Sequence, residues 1–184
     1  MRMHVKNKSK RIAISGVMAA LSTVLMVLGT VISVNTVFFT SAAAFLAGMA
    51  VLLYGGTYGI LFYAVCGGLD FLFNPNKLHI ILYLVLAGYI VISEVLWMCM
   101  KRMADGRKKE WIHRGIRFVL FVVLYVPLIY FIPELLVSSD LVKKQWFMPG
   151  ALLFGIIAWV LFDLAYGACK KIVWIHLEKI SRKE

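Results

Sequence analysis

The stretch FFTSAAAFLAGMAVLLYGGTYGILFYAVCGGLDFLF, residues 38–73, decides the fold. It is 36 residues of nearly unbroken apolar sequence. A helix that crosses a bilayer needs about 20, so one span is too few. The only break is YGGTYG at 54–59, and adjacent glycines are strong punctuators of regular structure. Two short helices, 38–53 and 56–73, therefore fit better than one long helix. Four more apolar runs, 12–34, 78–100, 116–137 and 150–169, bring the count to six.

The charges test that count independently. With the N-terminus inside and six spans, the inner segments are the N-terminal tail, the 54–59 turn, the 101–117 loop and the C-terminal tail. Those segments hold 17 of the 20 Lys and Arg residues. Only Lys77, Lys143 and Lys144 lie outside. Merging the second and third spans would put the basic 101–117 loop outside, against the positive-inside tendency. The expectation is an all-α membrane protein, a compact bundle of six transmembrane helices with both termini cytoplasmic.

Composition agrees. The chain has 184 residues, is 62% hydrophobic and has a mean hydropathy of +0.86, whereas soluble domains are nearer half apolar. A single domain over 1–184 leaves no room for a sizeable soluble module. A net charge of +11 would suggest nucleic acid in a soluble protein. Here the inner-loop excess of Lys and Arg accounts for it, so no nucleic-acid partner is expected. Cys66, Cys99 and Cys169 are isolated, with no C-x-x-C pair, and read as buried structural thiols. The basic MRMHVKNKSKR segment resembles the start of a signal peptide, but the run from 12 to 34 is too long for one and reads as a retained helix.

Small residues recur four apart on three helices: Ser15–Ala19 and Gly16–Ala20 on the first, Ala43–Ala47 and Ala44–Gly48 on the second, Gly55, Gly59 and Gly67 on the third. Such stripes let membrane helices approach closely, where dispersion drives association. They serve either packing within the bundle or docking of another membrane protein. The first helix is the better docking candidate because its stripe lies near the inner surface.

Ionisable groups within spans usually face an interior or a cavity. Glu94 and Asp163 each lie seven residues before a lysine on helices running inward, so they share a depth in the inner half. They read as a proton or cation relay, as hydrogen-bonded structural groups, or as a partner contact. Helix four shows a line of His79, Tyr83, Ala87, Ile90 and Glu94; His79 and Glu94 are about 60° apart around the axis and roughly 22 Å apart along it. Helix six carries Gly155, Trp159, Asp163 and Tyr166 on one face. The outer segments add Asn35, Asp70, Asn74, Glu134, Asp140 and Gln145, with Tyr130 and Trp146. Aromatic walls with a few polar groups suit a ligand pocket, though outer turns are polar in any case. Asp70 and Lys77 rank below His79 and Tyr83 because they belong to the turn itself.

Enzyme signatures are missing. There is no G-x-x-x-x-G-K-[ST], no H-E-x-x-H and no G-x-S-x-G. ADGR at 104–107 lacks the further aspartates of an intramembrane phosphotransferase, and the four histidines are scattered. No enzyme, cofactor or metal is expected.

The basic tail, then RIAISGVMAALSTVLMVLG, then six compact spans resembles the substrate-binding S component of an energy-coupling factor (ECF) transporter. The resemblance covers the whole chain in topology, with motif identity confined to the first helix. It implies that Ser15, Gly16, Ala19 and Ala20 dock on a transmembrane coupling protein driven by two cytoplasmic ATPase subunits. It also implies a small-molecule substrate, such as a vitamin, bound from outside among Asn35, Asn74, His79, Tyr83, Tyr130, Glu134 and Trp146. The location implied is multi-pass, in a prokaryotic plasma membrane. A scaffold subunit of cell-envelope machinery and a small proton-coupled carrier using Glu94 and Asp163 remain alternatives.

Overall fold

The computed structural model describes residues 8–32, 36–74, 77–103, 108–131 and 147–181. Six helices fill them: α1 Lys8–Val31, α2 Thr36–Tyr54, α3 Gly56–Phe73, α4 Lys77–Met103, α5 Lys108–Phe131 and α6 Phe147–Ser181. Each contains a segment long and apolar enough to cross a membrane. Many large apolar side chains lie on the outside, Phe38, Phe71, Leu72 and Phe154 among them. In water such a surface would aggregate; against lipid tails it is the expected exterior.

The break at 54–59 works through two glycines. Gly55 has φ 96°, a left-handed conformation that a side chain disfavours, and its N–H closes on Val51 O at 2.9 Å. α3 starts at the next residue. The return is so tight that a Cβ on Gly59 would lie 2.7 Å from Val51 Cα. Two spans thus meet with almost no loop between them.

The chain divides into two units, 1–135 and 136–184. In the first, α2 is central and packs against α1, α3 and α4; α3 also packs on α1 and α4, and α5 on α4. The α2 stripe makes this possible, with Ala43, Ala44, Ala47, Gly48 and Ala50 all buried. Small side chains on three sides of one helix let three neighbours close on it. Gly67 and Gly88 repeat the device between α3 and α4: their Cβ positions would lie 3.3 Å from Leu84 Cδ2 and from Tyr63 Oη respectively. The small residues of α2 and α3 therefore serve internal packing.

The second unit holds α6. Gly155, Trp159, Asp163 and Tyr166 are its less exposed side, while Leu153, Phe154, Leu161 and Leu164 are exposed.

Two helix limits differ from the sequence expectation. α5 begins at Lys108 and takes in Trp111, Arg114 and Arg117, which the hydropathy pattern assigned to a loop. α6 continues past Cys169 to Ser181. Basic residues end the apolar segment without ending the helix, because no Gly or Pro lies between 170 and 181 to stop it.

The antiparallel order gives the first unit two ends. At one, the Arg11 guanidinium of α1 lies 5.4 Å from the Tyr54 ring and 4.7 Å from the Tyr58 ring, at the α2–α3 turn. At the other, α1 finishes where α3 meets α4. Hydroxyls along the way are bonded to the backbone one turn back, as in Ser15 to Arg11 O, Thr23 to Ala19 O and Thr40 to Thr36 O. That removes the cost of leaving them unsatisfied in hydrocarbon.

Candidate functional site

The polar side chains of the first unit concentrate where α1, α3 and α4 come together at the Asn74 end. Asn74 caps α3, its backbone N–H reaching Asp70 O at 2.8 Å. Its side-chain Nδ2 donates to Asp70 Oδ1 at 3.0 Å. A carboxylate only accepts, which fixes the amide and turns Asn74 Oδ1 toward α1. There it accepts from the Thr30 hydroxyl at 2.7 Å. Thr30 Oγ1 also lies 3.4 Å from His79 Nδ1 on α4. Its one proton points to Asn74 Oδ1, with Met26 O a longer second acceptor at 3.2 Å, so Thr30 is the acceptor in the contact with His79 and Nδ1–H the donor. The bonds run in one direction, from His79 through Thr30 and Asn74 to Asp70.

Asp70 is wholly buried and Asn74 nearly so. His79 and Thr30 are partly exposed, and with the Thr30 hydroxyl engaged by Asn74 it is the His79 ring that is left within reach of a ligand. The group joins three helices and presents an imidazole edge backed by a buried carboxylate. That pair suits a ligand carrying hydrogen-bond donors.

One to two helical turns deeper lies a second polar group. Ser22 of α1, Cys66 of α3 and Tyr83 of α4 are all buried and adjoin one another. Tyr63 stacks on Tyr83 with ring centroids 6.0 Å apart and spends its own hydroxyl on Leu84 O at 3.0 Å.

Of the residues expected at a substrate site, Asn74 and His79 fall in one network and Tyr83 below it. Tyr130 sits near the end of α5 and is 70% exposed. Asn35, Glu134 and Trp146 lie outside the described residues. The helix-four line does face the interior: Tyr83, Ala87, Ile90 and Glu94 are all buried. Glu94 lies far down α4 from His79, in the stretch where α5 is attached by Trp97 against His113 (4.6 Å between rings) and Arg117 against Tyr89 (5.8 Å). Asp163 belongs to the second unit. Among the described residues, no three of His, Cys, Asp and Glu gather as a metal would need.

The docking stripe of α1 points the other way from that of α2. Gly16 and Ala20 are exposed, and nothing lies within 4 Å of a Cβ built on Gly16. Ser15 and Ala19 are partly covered.

Sequence reasoning did not single out Thr30 or Ser22 and undervalued Asp70, while Cys66 is buried as expected of a structural thiol. The available signal was spacing: Ser22 and Thr30 are eight apart on α1, while Cys66, Asp70 and Asn74 are four apart on α3. Both sets keep to one helical face. Comparison of the chain with family models, with curated proteins and with solved structures finds no match.

Proposed function

We propose that the chain is the membrane-embedded substrate-binding subunit of an uptake transporter of the ECF type, serving a vitamin or similar small molecule. The observation that carries this reading is the His79–Thr30–Asn74–Asp70 network. It gathers a carboxylate, an amide, a hydroxyl and an imidazole from three largely apolar helices at one end of the first unit. Polar groups within membrane helices are costly and mark sites of function. The outward stripe of Gly16 and Ala20 supports a second part of the reading, docking on a transmembrane coupling protein. Cytoplasmic ATPase subunits would then supply the energy that this chain, with no P-loop, does not. The distribution of Lys and Arg supports cytoplasmic termini in a prokaryotic plasma membrane, with the Asn74 end outside.

The test is a thermal-stability screen of the purified protein against vitamins, nucleobases and amino acids. A compound at about 100 times its Kd adds about 2.7 kcal/mol, or roughly 5–10 °C for a chain of this size. Absence of any stabilising compound, together with failure to co-purify ATPase subunits, would overturn the proposal.

A further inference from the structure

The hydrogen bonds at the Asn74 end have a direction, and a buried carboxylate imposes it. Asp70 is wholly buried and Asn74 is 1% exposed. A carboxylate only accepts, so Asn74 must offer it Nδ2, at 3.0 Å. That leaves Asn74 Oδ1 for the Thr30 hydroxyl, which donates its one proton at 2.7 Å. Thr30 Oγ1 then has only lone pairs to turn to His79 Nδ1 at 3.4 Å, and Nδ1 carries the hydrogen. A neutral imidazole has a single N–H, so its other nitrogen, Nε2, is bare. Among the described residues no group bonds Nε2.

The opposite tautomer conflicts with the carboxylate. A bare Nδ1 would draw the Thr30 proton to itself. Either Asn74 Oδ1 then loses its donor, or the amide turns over and sets Oδ1 against Asp70. Both outcomes leave buried acceptors unmatched, and such mismatches are costly away from water. His79 is the third residue of α4 and is partly exposed. Its ring therefore meets a ligand with a lone pair. A hydroxyl, an amide N–H or a ring N–H satisfies that lone pair. A carboxylate or phosphate oxygen has no proton to give.

We propose that Asp70, acting through Asn74 and Thr30, holds His79 in the Nδ1–H tautomer, so that Nε2 selects a substrate bringing an uncharged N–H or O–H donor. Asp70, Asn74 and Thr30 are positioning residues, and His79 is the residue that reads the substrate. The substrate class rests on the binding-subunit reading; the tautomer does not.

The tautomer is measured by nitrogen NMR on the full chain with 15N-labelled histidine, at about pH 8.5, where an ordinary imidazole is neutral. The bare ring nitrogen resonates far downfield of the protonated one, and couplings to the ring protons tell Nδ1 from Nε2. The His79 signals are those missing from His79→Ala. The parent shows His79 as Nδ1–H, the form that a free histidine side chain favours less. Asp70→Asn supplies an amide that donates as well as accepts, so the constraint is lifted and the Nε2–H form appears. Thr30→Ala removes the hydroxyl that passes the constraint on, gives the same change, and reads the relay even where Asp70→Asn does not fold. An Nε2–H tautomer in the parent, or an Nδ1–H tautomer kept in the variants, overturns the proposal. For each compound that stabilises the parent protein in the thermal screen, the fully N- and O-methylated counterpart loses the shift. A counterpart that stabilises equally overturns the substrate class. Failure of the whole screen overturns the binding-subunit reading and leaves the tautomer result standing.

Discussion

Replacing Asn74 by alanine cuts the network at its centre. Among the bonds the variant loses are Thr30 Oγ1 to Asn74 Oδ1 at 2.7 Å and Asn74 Nδ2 to Asp70 Oδ1 at 3.0 Å. The first joins α1 to the end of α3. Hydrogen bonds between membrane helices average about 0.6 kcal/mol and reach about 1.7. The second involves a buried acidic side chain, and bonds to charged groups contribute about 1.5–3 kcal/mol. Together the expected loss is about 2–4 kcal/mol, or roughly 4–16 °C in melting temperature for a chain of this length. Thr30→Ala is the internal control. It loses the inter-helix bond, the 3.2 Å contact to Met26 O within its own helix and the weak 3.4 Å contact to His79, but keeps the bond to the buried acidic side chain, so it costs about 1 kcal/mol. The assay is thermal unfolding of purified protein in one detergent, read by loss of helical circular dichroism. The ranking matters more than either value. If Thr30→Ala costs as much as Asn74→Ala, or if both are neutral, the network does not hold α1, α3 and α4 together and the description of the site fails.

Other substitutions test the packing and the carboxylate. Gly59→Ala puts a Cβ 2.7 Å from Val51 Cα and costs about 1–3 kcal/mol by overpacking; a variant as stable as the parent would contradict the tight α2–α3 return. Ala47→Leu, on the buried stripe of α2, destabilises the isolated protein, whereas Gly16→Leu, on the exposed face of α1, leaves its melting temperature within about 2 °C but abolishes co-purification of the coupling protein and ATPases. Loss of stability in Gly16→Leu would place that face inside the fold. Glu94→Gln leaves ATP-driven uptake into cells in place, because Glu94 lies far along α4 from His79; loss of uptake with substrate binding intact would instead point to proton coupling through Glu94.

Much of the architecture was legible because it rests on local chemistry. The six spans follow from run lengths, and the decisive split follows from Gly55 and Gly56, which the left-handed Gly55 bears out. The inward face of α4 was legible too, since one polar line on an otherwise apolar helix leaves little choice. The start of α5 and the end of α6 were not, because hydropathy marks where lipid stops and not where hydrogen bonding stops. The small-residue stripes show a deeper limit. Those of α1 and α2 have the same spacing, yet Ala43 and Ala47 are buried while Gly16 and Ala20 are exposed. Spacing gives the stripe; only the placement of neighbouring helices gives its direction. The site was half legible for the same reason. Asn74, His79 and Tyr83 stood out beside a turn, but Thr30 looked like one more hydroxyl bonded to its own helix, which it also is, at 3.2 Å from Met26 O. Asp70 passed for turn polarity, although it is the buried terminus of the network.

The most direct test of the account is the ligand-induced thermal shift measured side by side on the parent protein and on His79→Ala. His79 is partly exposed, and its loss leaves the Thr30–Asn74–Asp70 bonds in place. The account predicts that a vitamin, nucleobase or amino acid stabilises the parent by about 5–10 °C at saturating concentration, and that His79→Ala folds but loses most of that shift. A stabilising compound whose shift is unchanged in His79→Ala would contradict the placement of the site. If no compound shifts the parent at all, substrate binding itself is contradicted.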